Sequence, residues 1–252
     1  MLVTPIKTRL INPGDNLLEV ITTSQPHLAE KSVLTIATKA FSFCENQLVN
    51  KQTDTKEEKW ALARNEAEFY LEPNESKYQI MFTIKGNWMF ANAGIDESNS
   101  AGFYSLWPKN PQKSLNILWE QLRVHYAVKH LGLIMTDSHA IPLNWGVVGH
   151  GIAYCGFTPL KNYVGTPDLH GRMLEMEQLS LVQSLAVAGV MEMGEGNEQH
   201  PLALITDIKQ DMVFQEKPPT EAELASLHIS LEDDAFAPFI TRVPWKKGDT
   251  NA

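Results

Sequence analysis

Cysteine is nearly absent: Cys44 and Cys155 are the only two in 252 residues, far apart and outside any CxxC spacing. That excludes a disulfide scaffold and a thiolate zinc site. No apolar run approaches the roughly 20 residues of a membrane-spanning helix. The opening segment "MLVTPIKTRLINPGDNL" breaks each apolar run with polar residues, unlike the continuous apolar stretch of a secretory signal. The expectation is a cytoplasmic protein without membrane partners. Positive charge is in deficit, with Lys+Arg 21 against Asp+Glu 30 and a formal net charge of -9, which disfavours nucleic acid as a partner. GxxxxGK(S/T), GxGxxG after a strand, HxxxH and HExxH are all missing, which removes P-loop, dinucleotide-binding and zinc-protease readings.

What is present is ordinary globular composition, 43% hydrophobic and 20% charged, enough for one large domain or two small ones. Residues 3–10 read as a strand, and "NPGD" turns the chain into a helix that Asp15 could cap. The β-branched "SVLTIATK" at 32–39 reads as a buried strand. In the next helix Trp60, Ala63, Ala67 and Tyr70 can share a face, and "KGN" joins two strands as a hairpin. Leu115, Leu118, Leu122 and Tyr126 sit at helical spacing before an apolar strand that begins at Leu131. A strand then leads into a long apolar helix ending at Gly194 or Gly196, with the methionines of residues 173–193 read as core packing. Thr220, after Pro218-Pro219, can cap a last short helix. Strands alternate with helices but several pair as hairpins, so the expectation is an α+β fold of mixed sheets and packed helices.

Two segments carry chemistry. In "LIMTDSHA" an apolar strand is expected to finish on Asp137-Ser138, and in "ANAGIDESNS" Asp96 follows an apolar stretch with Asn99 three residues on. Two acidic strand ends with a hydroxyl beside them could share a hard cation, because Mg²⁺ and Mn²⁺ prefer oxygen ligands and leave room for phosphate oxygens. The loop "MEMGEGNEQHP" adds Glu195, Glu198 and Gln199. The glycines of "WGVVGHGIAYCG" demand close backbone approach, either to packing partners or to a ligand.

Together these segments resemble the coenzyme F-420-0:L-glutamate ligase family of γ-glutamyl ligases. The ordered match runs from "NPGD" through "VLTIATKAFSFCENQL", "ANAGIDESN", "LIMTDS" and "GFTPLKNYVGTPDLHGRMLEM" to "AVAGVMEMGEGNEQHP" and "LALITDI". The resemblance implies an intertwined, homodimer-forming α+β fold over residues 1–209, which could divide into two subdomains, with 210–252 as a C-terminal extension carrying a short helix. It implies ligation of L-glutamate driven by GTP or ATP with two Mg²⁺ or Mn²⁺ ions. By position it makes Asp96 and Asp137 catalytic, and Asp96, Asp137 and Ser138 metal ligands. Nucleotide contacts fall on Thr8, Arg9, Leu10, Ile11, Thr38, Lys39 and Asn99, with Glu195 and Glu198 as metal or substrate-amine contacts. Two departures stand out. Phe43 occupies a place where the family has lysine, and residues 139–150 lack the arginines of the deazaflavin enzymes. That segment resembles a branch assigned to folate metabolism, so a folate acceptor is expected, with Trp145 stacking on its ring. The alternatives are ligation to the deazaflavin coenzyme itself and a nucleotide-binding homologue without ligase activity.

Overall fold

A computed structural model describes residues 1–250. Strand β1 (Leu2–Ile6) is followed by helix α1 (Leu17–Ser24). The cap of α1 falls one residue later than expected. Asn16 accepts the Glu19 N–H at 3.3 Å, while Asp15 accepts the Asn12 N–H at 2.6 Å and pairs with Arg9. The β-branched run forms β2 (Ser32–Ala37), whose Val33, Leu34 and Ile36 are fully buried. It passes directly into α2 (Thr38–Cys44), which places Thr38 and Lys39 in the first turn.

Residues 48–105 build β3 (Leu48–Asn50), α3 (Lys56–Glu66), β4 (Phe69–Tyr70), β5 (Phe82–Lys85), β6 (Trp88–Ala91) and β7 (Phe103–Ser105). Ala63 and Ala67 are buried with Trp60 and Tyr70 packed beside them, although Tyr70 stands on β4 rather than on the helix. Gly86 and Asn87 both take positive φ, 58° and 63°, the conformation that closes a two-residue hairpin between right-twisted strands.

Pro111 opens α4 (Pro111–Tyr126), and Asn110 caps it by accepting the Lys113 N–H at 2.9 Å. It delivers the chain into β8 (Leu131–Ala140), which pairs antiparallel with β9 (Val147–Cys155). The strand therefore does not finish at Asp137-Ser138. Asp137 stands opposite His150 and Ser138 opposite Gly149, so ladder bonds carry the backbone onward, and the connection shrinks to residues 141–146. Then follow β10 (Leu160–Asn162), β11 (Gln178–Ser180), α5 (Leu181–Met193), β12 (Leu202–Thr206), α6 (Glu221–Ala225), α7 (Ala237–Ile240) and β13 (Lys246–Lys247).

The main sheet has the order β1-β12-β2-β8-β9, and only β2 and β8 run parallel. Leu131, Leu133 and Met135 pack with α1 and α4 on one face, and Ile134 packs with α5 on the other. A second sheet, β13-β4-β5-β6, is wholly antiparallel. Mixed pairing with hairpins makes the architecture α+β, as expected. The glycines of β9 serve packing: a Cβ at Gly149 would lie 2.3 Å from the Ala186 carbonyl oxygen of α5, and one at Gly151 would lie 2.6 Å from Val182. The methionines depart from the expectation. Met193 is buried, but Met173, Met176 and Met191 are exposed.

Residues beyond 209 are built into the molecule. Thr220 and Glu223 form a reciprocal cap on α6, Met212, Phe214, Leu224 and Leu227 pack on the α5 core, and β13 pairs with β4. The extension thus carries two short helices and a strand, more than the one short helix expected. Among the described residues no helix is long and apolar enough to cross a membrane.

Candidate active site

Strand alternation sorts the side chains of β8. After a bulge between Met135 and Thr136, Asp137 points to the face where Trp107 lies, and Ser138 points toward the loop that follows α5. The Trp107 Nε1–H donates to Asp137 Oδ2 at 2.6 Å, and the Ser138 N–H donates to Oδ1 at 2.8 Å. The Ser138 hydroxyl donates to Glu195 Oε1 at 2.6 Å. Trp107 can reach Asp137 because Gly94, at φ 71°, leaves it room. A Cβ there would stand 2.1 Å from the indole nitrogen.

Asp96 comes from the opposite wall, held in a backbone bridge to Ser105. Its Oδ1 accepts the N–H groups of Glu97 and Ser98 at 2.6 and 2.9 Å, and its Oδ2 accepts from Lys39 Nζ at 2.6 Å. Asn99 Nδ2 donates to the Gly196 carbonyl at 2.7 Å, which ties this wall to the loop after α5. Thr38 donates to the Thr136 carbonyl at 2.7 Å and so joins the ends of the parallel strands. Gln199 Nε2 donates to the Thr8 carbonyl at 2.7 Å, which fixes residues 8–11 along the rim.

All of these walls enclose one pocket of about 450 Å³. Every expected site residue lines it: Thr8, Arg9, Leu10, Ile11, Thr38, Lys39, Asp96, Asn99, Asp137, Ser138, Glu195 and Glu198. Phe43 lines it too, as a buried apolar wall where a lysine would have added charge. Sequence reasoning missed Trp107 and Ser98. Ser98 lay within a quoted segment, but nothing in "SLWPKN" marks Trp107 as a partner for a residue thirty positions away. Residues 139–150 do not reach the pocket. Trp145 is 89% exposed at the hairpin tip, and His139 and His150 pack against Phe90, because β8 continues past Ser138 and carries the segment away. The expected stacking of Trp145 on an acceptor ring has no support in this arrangement.

The two aspartates differ in their affinity for a proton. Burial pushes Asp137 up to about 6, opposed by the hydrogen bonds from Trp107 and Ser138 and reinforced by the charge of Asp96. Burial acts the same way on Asp96, but the charge and hydrogen bond of Lys39 outweigh it and hold Asp96 below the usual carboxylate range. The pocket presents four carboxylates, Asp96, Asp137, Glu195 and Glu198, against the fixed positive charges of Lys39 and Arg9. Arg9 is already paired with Asp15, and Lys39 with Asp96. A polyphosphate entering alone would meet net repulsion, whereas the hard oxygen donors suit divalent cations that would accompany it. Among the described residues no three carboxylate, imidazole or thiolate groups converge on one point. Cations here would therefore also draw on the Ser138 hydroxyl, water and ligand oxygens, a donor set that fits Mg²⁺ or Mn²⁺.

The family model for F420-0:γ-glutamyl ligase matches residues 5–207, most of the chain. The protein belongs to this family. Among its relatives in this ligase family is the coenzyme F420:L-glutamate ligase of Methanopyrus kandleri, 31% identical over 83% of this chain and 88% of that one. That of Methanosarcina mazei is 27% identical over 79% of this chain and 82% of that one. The Methanosarcina acetivorans enzyme is 34% identical over a shorter stretch, 52% of this chain and 51% of that one. All three names point to the deazaflavin coenzyme. The folate acceptor expected from residues 139–150 finds no counterpart among them.

Proposed function

We propose that the protein is a γ-glutamyl ligase that joins L-glutamate to the carboxylate of a deazaflavin acceptor of the F420 type, at the expense of GTP or ATP. The observation that carries this reading is the convergence, in one acidic pocket, of Asp96 and Asp137 with Ser138 and the rim at residues 8–11. Family membership and the names of the relatives support the reaction and the acceptor. A carboxylate is a poor acylating agent, so the reaction needs activation. An acceptor carboxylate oxygen attacks the terminal phosphorus and the nucleoside diphosphate leaves. The glutamate amine, having lost a proton, then attacks the acyl carbon, and inorganic phosphate departs with that carboxylate oxygen.

Asp96, Asp137 and Ser138 would hold Mg²⁺ or Mn²⁺, two ions in all. When bound, the cations neutralise the polyphosphate and stabilise charge on the transferring phosphoryl group. Thr8 to Ile11, Thr38 and Lys39 line the way for the nucleotide, Asn99 fixes the loop after α5, and Glu195 and Glu198 orient the glutamate amine. Orientation in a shared pocket supplies much of the remaining acceleration. We also infer a homodimer, supported by the hairpin tip, where Ile141, Leu143 and Trp145 are all exposed. Light scattering should give twice the chain mass.

The test is incubation with nucleotide, Mg²⁺ and L-glutamate, with either the unglutamylated deazaflavin acceptor or folate, read by mass spectrometry. A gain of one glutamyl unit on the deazaflavin is expected. A gain on folate alone would overturn the acceptor, and tight nucleotide binding without product on either would overturn the ligase reading.

A further inference from the structure

The second residue of α2, Lys39, does more than line the pocket. Its ammonium donates to Asp96 Oδ2 at 2.6 Å, to the Ser98 carbonyl, and to the Ser98 hydroxyl at 3.3 Å. An ammonium has three N–H donors, so all are committed. The carboxylate on the other side is equally committed. Oδ1 takes the N–H groups of Glu97 and Ser98, and the Ser98 hydroxyl lies 3.1 Å from Oδ1 and 2.9 Å from Oδ2. A carboxylate has about four acceptor positions, and none of those on Asp96 is left for a cation while Lys39 stays. Asp137, across the same pocket, is held by neutral donors alone, Trp107 and the Ser138 N–H. One aspartate carries its own counter-ion and the other does not.

We propose that Lys39 is a displaceable counter-ion that makes divalent-cation binding at Asp96 conditional on the nucleotide. This rests on the reading of the pocket as a nucleotide and metal site. Without nucleotide, moving Lys39 off Asp96 would leave an ammonium without its counter-ion, and a divalent ion would have to overcome that cost. With a polyphosphate in the pocket, the flexible lysine side chain turns to a phosphate oxygen and Asp96 Oδ2 is freed in the same movement. The coupling is reciprocal, so each ligand tightens the other by the same factor. Phe43 sharpens the effect, because the pocket holds no second lysine to take over the phosphate.

The test is Mn²⁺ binding followed by electron paramagnetic resonance, on the full chain, with and without a non-hydrolysable nucleoside triphosphate analogue. Mn²⁺ bound to the analogue without protein is subtracted. Wild type should bind Mn²⁺ about tenfold or more tightly when the analogue is present. Lys39→Met and Lys39→Gln should bind Mn²⁺ alone about tenfold more tightly than wild type alone, with the analogue's effect largely gone. Lys39→Arg should remain weak. Lys51→Met removes a positive charge that pairs with Glu97, the residue next to Asp96, without freeing Asp96 itself, so it should leave binding of Mn²⁺ alone within about twofold of wild type. Equal gains in the Lys39→Met and Lys51→Met proteins would reduce the effect to general electrostatics and overturn the proposal. So would unchanged Mn²⁺ affinity in both Lys39 variants, each shown to be folded by its thermal transition. Absence of Mn²⁺ binding in wild type even with the analogue would instead overturn the metal reading of the pocket itself.

Discussion

Asp137 is a carboxylic acid whose surroundings work against its charge. Its pKa, raised from 3.8 to about 6 by burial, has a consequence for stability in the metal-free protein. As pH rises from about 4 to 6 the unfolded chain loses this proton and the folded one keeps it, so this residue's contribution falls across that window. The difference between the two values corresponds to about 3 kcal/mol. Asp137→Asn removes the titration but keeps an oxygen for Trp107. Denaturant unfolding should show the variant close to wild type at pH 4 and more stable by about 2–3 kcal/mol at pH 7. Parallel curves across that range would mean that the carboxyl is not buried as described. Asp96, Asp137 and Ser138 were legible in the sequence as oxygen donors in two polar segments, and Lys39 through the family resemblance alone; all four line one pocket. Trp107 was not legible, since an indole beside Pro108 reads as packing and its partner is set only by the tertiary fold.

Elements were legible where the signal was local. The β-branched run of β2, the helical spacing of α4, the two-residue turn of β5–β6 and the cap of α6 all follow from neighbours within a few positions. The end of β8 was not, because Thr136-Asp137-Ser138-His139 breaks the apolar run while the ladder with β9 continues regardless. A polar residue in a strand can mark a site rather than an end. The segment at Gly94 joins element to site, since its open Cα face lets Trp107 pass beneath and support Asp137. Gly94→Ala should destabilise the protein by about 2–4 kcal/mol, from positive φ and a clash with a buried ring. Trp107→Phe should cost less, about 1–3 kcal/mol, by removing the donor from a half-buried carboxylate. Calorimetry that ranked them in reverse would place the constraint in the hydrogen bond rather than in the close approach.

On the scale of the whole molecule, the ligase match ends at residue 207, yet the chain that follows packs against α5 and adds β13 to the second sheet. Lys246 pairs with Glu72 at 2.6 Å, and the Gly248 N–H donates to the Glu68 carbonyl at 2.9 Å. Truncation after Gln210 would expose apolar surface on Val182 and Leu185 that Phe214, Leu224 and Leu227 help to cover. The truncated chain should unfold at a lower temperature and bind a hydrophobic dye, whereas an unchanged transition would make the extension dispensable to the fold.

The central claim is that this acidic pocket activates a carboxylate by phosphorylation. It is tested most directly with a deazaflavin acceptor whose carboxylate carries heavy oxygen, by measuring the label in the phosphate released during glutamate ligation. Transfer of one labelled oxygen per product is expected from wild type, with turnover abolished in Asp137→Ala. Glutamylated product with unlabelled phosphate, or an Asp137→Ala rate close to wild type, would contradict it.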